Sequence, residues 1–261
     1  MSVVEKPEAR RGGVTGSRTT RLLGLTVLAG IGLLLYLAFV ATDPDATQKD
    51  AVRLMYIHVP SALVAYFAFT VTAIGSVMVL IKRSVWWDLV AGASAEIGTL
   101  AAALTLITGS IWGRPIWNTW WEWGDVRLLT TLVLFMLALG YLAVRRLEGT
   151  AEERAKRAAV VGLLLIVNVV IVNRSVEWWN NQTIHQESTI AEAAIEDLKA
   201  FTLFFSIVVG LGAYFWMLIH RFRLAWLERQ DERFGLDEAI TRRRAEADEL
   251  VGDGARQGGR A

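Results

Sequence analysis

Three histidines and an unusual density of tryptophan are the residues of this sequence best suited to do chemistry. His58 stands in "RLMYIHVPSA", His185 in "EWWNNQTIHQEST", and His220 directly precedes Arg221. Between the first two runs "SIWGRPIWNTWWEWGDVRLLT", Ser110 to Thr130, in which Trp112, Trp117, Trp120, Trp121 and Trp123 fall within a dozen positions. A neutral imidazole is a good iron ligand, and two of them fill both axial positions of a haem. That macrocycle is flat, apolar and carries two carboxylates, so it needs aromatic walls and cationic partners. The five tryptophans, with Trp178 and Trp179, offer the walls, and Arg53, Arg114 and Arg127 offer the cations. Each imidazole must be neutral to bind, so ligation weakens as pH falls through the imidazole range near ~6.5.

Plainer readings compete with this one. A histidine in a loop is ordinarily a solvated side chain, and tryptophans at a membrane edge ordinarily form an aromatic belt. Trp86, Trp87 and Trp226 are read as belt, so "SVWWDL", beside Lys82 and Arg83, is no more than that. Five tryptophans in one loop exceed what a belt needs. They point to an amphipathic surface lying in the interface or to a ligand platform. Glu96, inside "AGASAEIGTLAAA", is an intramembrane carboxylate; close helix packing and structural bonding are favoured there over a proton relay. Asn173 and Asn181 begin glycosylation sequons, a weak signal.

Composition removes several classes. The chain has no Cys, so it forms no disulfide, no thiolate metal site and no covalent haem attachment through Cys-x-x-Cys-His. It has no Walker A sequence and therefore no P-loop ATPase of its own. With a net charge of +1, no nucleic-acid partner is expected.

The elements that must carry these residues are six apolar blocks, roughly 22–41, 58–81, 89–107, 128–144, 158–172 and 200–219. Several approach the ~20 residues that a helix needs to cross ~30 Å of hydrocarbon. The fifth is short and carries Asn168, but an open strand there would leave its backbone unsatisfied in lipid. The first block is read as a retained helix rather than a cleaved signal. Lys and Arg gather in the N-terminal segment, at Lys82 and Arg83, between Arg145 and Arg157, and in the tail from Arg221 onward. The intervening loops, 43–56, 111–127 and 174–199, are poor in both. The expected fold is therefore all-α: a polytopic membrane protein with six transmembrane helices and both termini cytoplasmic. Residues 1–21 form a cytoplasmic segment, 22–220 the membrane domain, and 221–261 a charged cytoplasmic tail. In that tail "LDEAITRRRAEADELV" reads as an amphipathic helix and "GDGARQGGRA" as a frayed end. His58 and His185 fall on the outer side, in the loops flanking the tryptophan loop, and His220 on the inner side.

"WGRPIWNTWWEWGDVRLLT" resembles the WWD signature of haem-handling proteins in cytochrome c biogenesis, and its close, Asp-x-Arg-Leu with a Thr, resembles the CcmC family in particular. "RLMYIHVPSA" and "SVEWWN" with the following His-Gln and Ser-Thr resemble that family's histidine segments. Two departures stand out: Gly124 separates Trp123 from Asp125, and "DVRLLT" holds one Leu more than the common pattern. The resemblance implies that the WWD segment, 110–130, is the second outer loop of a bacterial inner-membrane protein, with the haem site on the periplasmic face. It implies that His58 and His185 are axial ligands of a haem b held noncovalently and transiently. Trp112, Trp117, Trp120, Trp121, Trp123 and Asp125 would form the platform, with Arg53 and Arg127 as polar contacts. The implied role is to work with the transporter subunits CcmA and CcmB and the small CcmD, and to load haem onto the chaperone CcmE, promoting bond formation on another protein. A transport permease for haem or another substrate is the alternative; it requires a polar path through the spans, for which Glu96, Asn168 and a few hydroxyls are the candidates. A membrane scaffold is a third reading, and it leaves the outer histidines without a task.

Overall fold

Ser17 opens the first helix by accepting the Thr20 N–H on its hydroxyl, and an unbroken apolar run then carries α1 from Arg18 to Tyr36. The structure, a computed structural model, describes residues 17–185 and 197–258. Helices α2 (Met55–Lys82), α3 (Val85–Trp117), α4 (Val126–Val144), α5 (Ala151–Trp178) and α6 (Asp197–Gly258) follow, and among the described residues there is no strand. Six helices are long and apolar enough to cross a membrane. The protein is an all-α, multi-pass membrane protein, as the periodicity and block lengths predict.

The chain divides into two units, Met1–Ile219 and His220–Ala261. In the first, α2 packs chiefly on α3, and α5 packs on both α2 and α4. Small residues set these contacts. A Cβ added at Gly75 would lie 2.8 Å from that of Ala91, and one at Gly98 would lie 2.8 Å from the Phe69 ring. In lipid, close backbone approach replaces the hydrophobic drive as the source of packing energy. The buried core around Ala68, Phe69, Leu134, Leu165, Val172 and Tyr214 lies along these seams. Hydroxyls on the spans donate back to their own helix, as Thr70, Ser76, Thr99 and Thr105 each do to the carbonyl four residues earlier. The two polar side chains that sequence marks inside spans differ in how they are held: Asn168 donates to the Thr130 carbonyl at 3.2 Å, while Glu96 on α3 is only partly buried.

Three elements differ from their sequence outlines. The third span continues as helix through Gly113 and Pro115 to Trp117, instead of breaking in the tryptophan segment. Pro115 costs only one backbone bond there, and Gly113 accepts the Trp117 ring, which lies 2.8 Å from where a Cβ would stand. The fifth span is not short: α5 has 28 residues because a Thr150–Glu153 capping box starts it about two turns before the apolar run and the helix continues past that run to Trp178. At 1.5 Å per residue it is about 42 Å long. In the second unit, the end expected to fray is helical as far as Gly258. No Pro interrupts it, and isolated glycines cost a helix only about 1 kcal/mol each. Side chains there are mostly exposed through Ala245, with Phe222 stacked on Trp226 at 6.3 Å and Arg221 paired to Glu228 at 3.5 Å.

At one end of the first unit α3 and α4 are tied by charge. Arg145 donates to Asp88 at 2.6 Å, lies across the Tyr141 ring at 5.8 Å, and rests on Gly92, where a Cβ would meet its guanidinium at 2.9 Å. "SVWWDL" thus contributes more than a belt: Trp86 is exposed, but Asp88 is buried and paired.

Candidate functional site

The opposite end holds His58 and His185. His58 lies in the first turn of α2. Its Nδ1 is 3.1 Å from the Thr105 carbonyl and 3.2 Å from the Thr108 hydroxyl on α3. A carbonyl can only accept, so Nδ1 carries the proton and Nε2 keeps its lone pair. A backbone acceptor on one ring nitrogen fixes the tautomer and orients the other nitrogen for metal ligation. The imidazole also stands edge-on to Trp112 at 5.6 Å between centroids. Gly109 lets the ring approach α3, since a Cβ there would lie 2.9 Å from Cε1. Gly109→Ala is therefore expected to push His58 off its Thr105 bond while the helix persists. A tenfold or greater loss of affinity for the ligand of this site, in titrations of the purified chain, is the expected result, within the roughly 10–100-fold cost of losing an orienting partner.

Trp112 is fixed from the first loop: its indole N–H donates to the Gln48 side chain at 2.9 Å. Gln48 is held by Asp45, whose Oδ1 accepts the Gln48 and Thr47 N–H groups at 2.8 and 2.9 Å. Those two backbone bonds, Gln48's first, hold the Asp45 carboxyl below its ordinary range. The turn is therefore strengthened above the ordinary carboxylate pKa and weakened as pH falls through the lowered native value.

Trp117 ends α3 with its ring 5.9 Å from that of His185. His185 is thus brought to the same end of α3 as His58, through Trp117, five residues after the Trp112 that edges His58. Arg127, in the first turn of α4, lies beside Tyr66 of α2. His58, His185, Trp112, Trp117 and Arg127 are thus gathered from α2, α3, α4 and the loop after α5. Trp120 and Trp123 are 59% and 70% exposed. Trp121 packs edge-on against Trp123 at 5.8 Å, and its buried indole N–H finds no acceptor among the described residues. Asn118, in a left-handed conformation (φ 56°), turns the chain from α3 into this loop.

Two predicted contacts are already engaged within the protein. Arg53 donates to the Ala38 and Thr42 carbonyls and to Asp50, closing the π-helical end of α1 at Leu37–Ala41. A cation over the carbonyl end of a helix is favourable on its own account. Asp125 is buried, caps α4 through Leu128 N–H at 2.8 Å, and accepts from Thr183 and Ile184.

The family model described as heme exporter protein C, CcmC, matches residues 10–235. This chain belongs to the CcmC family. It is 35% identical over 210 residues to heme exporter protein C of Haemophilus influenzae, covering 79% of this chain and 83% of that protein. It is 34% identical over 199 residues to the Escherichia coli K12 protein of the same name, covering 76% and 80%. Identity reaches 41% over 164 residues with heme exporter protein C of Bradyrhizobium diazoefficiens, where the match covers 63% of this chain and 60% of that protein, less than two thirds of its length.

In this CcmC-family chain the residues that support the site carry no signal of their own in the sequence. Thr105, Thr108 and Gly109 fall at helical spacing on one face of α3 and read there as ordinary span residues. Gln48 lies in the first loop, and Thr183 completes the sequon that begins at Asn181. The signal that finds them is the face of α3 that must meet His58.

Proposed function

We propose that this protein binds haem at the end of the bundle where His58 and His185 converge, presents it on the outer face of a bacterial inner membrane, and passes it to a haem chaperone in cytochrome c maturation. The observation that carries the reading is the convergence itself: His58 has Nδ1 committed to Thr105 and Nε2 left as a lone-pair donor, and a second imidazole, from a loop far along the chain, stands against Trp117, five residues after the Trp112 that edges His58. Iron supplies the affinity for both imidazoles when haem is bound. The protein's own part is to hold the two rings, to wall the macrocycle with Trp112 and Trp117, and to place Arg127 for a propionate. The chaperone corresponds to CcmE and the remaining partners to CcmA, CcmB and CcmD, supported by membership of the CcmC family; the chain itself carries no Walker A sequence. Haem b held noncovalently fits a chain with no Cys. A permease reading is less well supported, because span hydroxyls such as those of Ser76, Thr99 and Thr105 are spent on carbonyls of their own helices.

The tryptophan loop is read as outward from the distribution of Lys and Arg. With no native Cys, Asn118→Cys gives a single thiol at the α3 C-terminus. An impermeant maleimide added to intact cells or right-side-out vesicles is expected to label it. Labelling only after the inner side is exposed would reverse the topology and place the histidines on the cytoplasmic face. The purified chain with added haem is expected to show a low-spin bis-histidine spectrum.

A further inference from the structure

Asp125 stands at the end of the tryptophan segment, where the sequence suggests a role in a ligand platform. Its carboxylate is committed elsewhere. The residue is 1% exposed. Oδ1 accepts the Leu128 N–H at 2.8 Å and so caps α4. Oδ2 accepts the Thr183 hydroxyl at 2.8 Å and the Ile184 N–H at 2.7 Å. The Thr183 hydroxyl in turn accepts the His185 N–H at 3.1 Å. One buried carboxylate therefore fixes two residues directly before His185, and through one hydroxyl it fixes the backbone of His185 itself.

We propose that Asp125 is a positioning residue: it anchors the loop that carries His185 to the start of α4, and so decides whether the second imidazole reaches an iron already held by His58. The proposal rests on the reading that His58 and His185 ligate haem. Its physical basis is the asymmetry between the two histidines. His58 is built into a helix and bonded to the neighbouring helix. His185 follows a short 3-10 turn, Asn180–Gln182, on a loop whose position is set by the Asp125 bonds. Charge-assisted bonds to a buried carboxylate are roughly twice as strong as neutral ones, so a single residue can hold that loop.

The variants separate this role from a helix cap and from a direct platform contact. Asp125→Asn keeps a carbonyl oxygen for Leu128 N–H, and Asn caps a helix as well as Asp does. Its second atom becomes an NH2 group, which cannot accept from Ile184 N–H or from the Thr183 hydroxyl. Thr183→Val leaves Asp125, the α4 cap and the Ile184 N–H bond intact and removes the hydroxyl that links Asp125 to the His185 N–H. Thr183→Ser restores it.

Two measurements on the full-length chain decide the matter. In the haem-free protein, hydrogen exchange of the peptide spanning residues 182–185 is expected to speed up roughly tenfold or more in Asp125→Asn and Thr183→Val, with α4 protection unchanged and Thr183→Ser like wild type. In the haem-loaded protein, both variants are expected to convert part of the low-spin spectrum to a five-coordinate form that added imidazole returns to six-coordinate. Asp125→Asn and Thr183→Val with wild-type exchange and an intact low-spin spectrum would overturn the proposal while leaving bis-histidine ligation standing. A spectral change in Asp125→Asn with wild-type exchange of the 182–185 peptide would also overturn it, in favour of direct contact between Asp125 and haem. A wild-type chain with no bis-histidine spectrum would remove the ligation reading and this proposal together.

Discussion

Replacing His185 by glycine is expected to leave haem bound through His58 alone, five-coordinate and high-spin, with the low-spin spectrum recovered on adding imidazole. Replacing His58 by glycine is expected to do more: haem occupancy itself falls. The difference follows from how each ring is held. The His58 imidazole is oriented by Thr105 and Thr108, edged by Trp112 and seated over Gly109. Its Nε2 needs no further ordering to meet iron, so little conformational entropy is lost on ligation. His185 lies on a loop and touches Trp117 by its ring. Losing an orienting partner costs a metal site roughly 10–100-fold in affinity, and losing the ordered ligand is expected to exceed that. Haem titrations followed by absorbance in detergent or nanodiscs check both variants. His220→Gly serves as the control, since His220 belongs to the second unit, beside Arg221. Low-spin spectra unchanged in both His58→Gly and His185→Gly would sink the assignment, and loss of haem in His220→Gly would move the site to the other histidine.

The helices were legible in sequence because the physics that makes them is local. An apolar block in lipid has no choice but to satisfy its own backbone, so the six helices follow from composition and length. Their ends were less legible, because caps and neighbours decide them: Thr150 and Glu153 lengthen α5, and Gly113 under Trp117 carries α3 through a proline. At the site the residue types could be found but not their partners. His58 and Trp112 were visible as candidates, whereas the Thr105 bond spans 47 positions and the Gln48–Trp112 bond spans 64. Arg53 shows the limit most plainly. As a cation on the expected outer side it suits a propionate, but the π-helical end of α1, which sequence did not announce, leaves carbonyls that Arg53 closes. Asp125 likewise belongs to a motif by position and to the His185 loop by its bonds, which join residues 58 and 59 positions apart.

Removing one partner of the Asp88–Arg145 pair is expected to cause a large loss of stability. The two side chains meet at 2.6 Å and are 9% and 23% exposed. Arg145 has further company in Tyr141, whose hydroxyl is 3.4 Å away and whose ring it overlies. Truncating either charge strands the other in a largely desolvated position, and breaking such a pair typically costs about 3–5 kcal/mol. Asp88→Ala and Arg145→Ala are each expected to fall in that range. The double variant, with no charge left unpaired, is expected to recover a large part of the loss, because the pair's own net worth is small once its desolvation is counted. Gly92→Val tests the same joint by shape: its side chain would invade the space of the Arg145 guanidinium, where even a Cβ lies at 2.9 Å. Because the joint ties α3 to α4 at the end away from the histidines, the fraction of each variant that remains folded is expected to keep the wild-type haem spectrum. Reversible unfolding in mixed micelles, read by tryptophan fluorescence, supplies the stabilities. Single variants within about 0.5 kcal/mol of wild type, the range of ordinary surface substitutions, would mean that water or lipid headgroups reach this pair and that it does not hold α3 against α4.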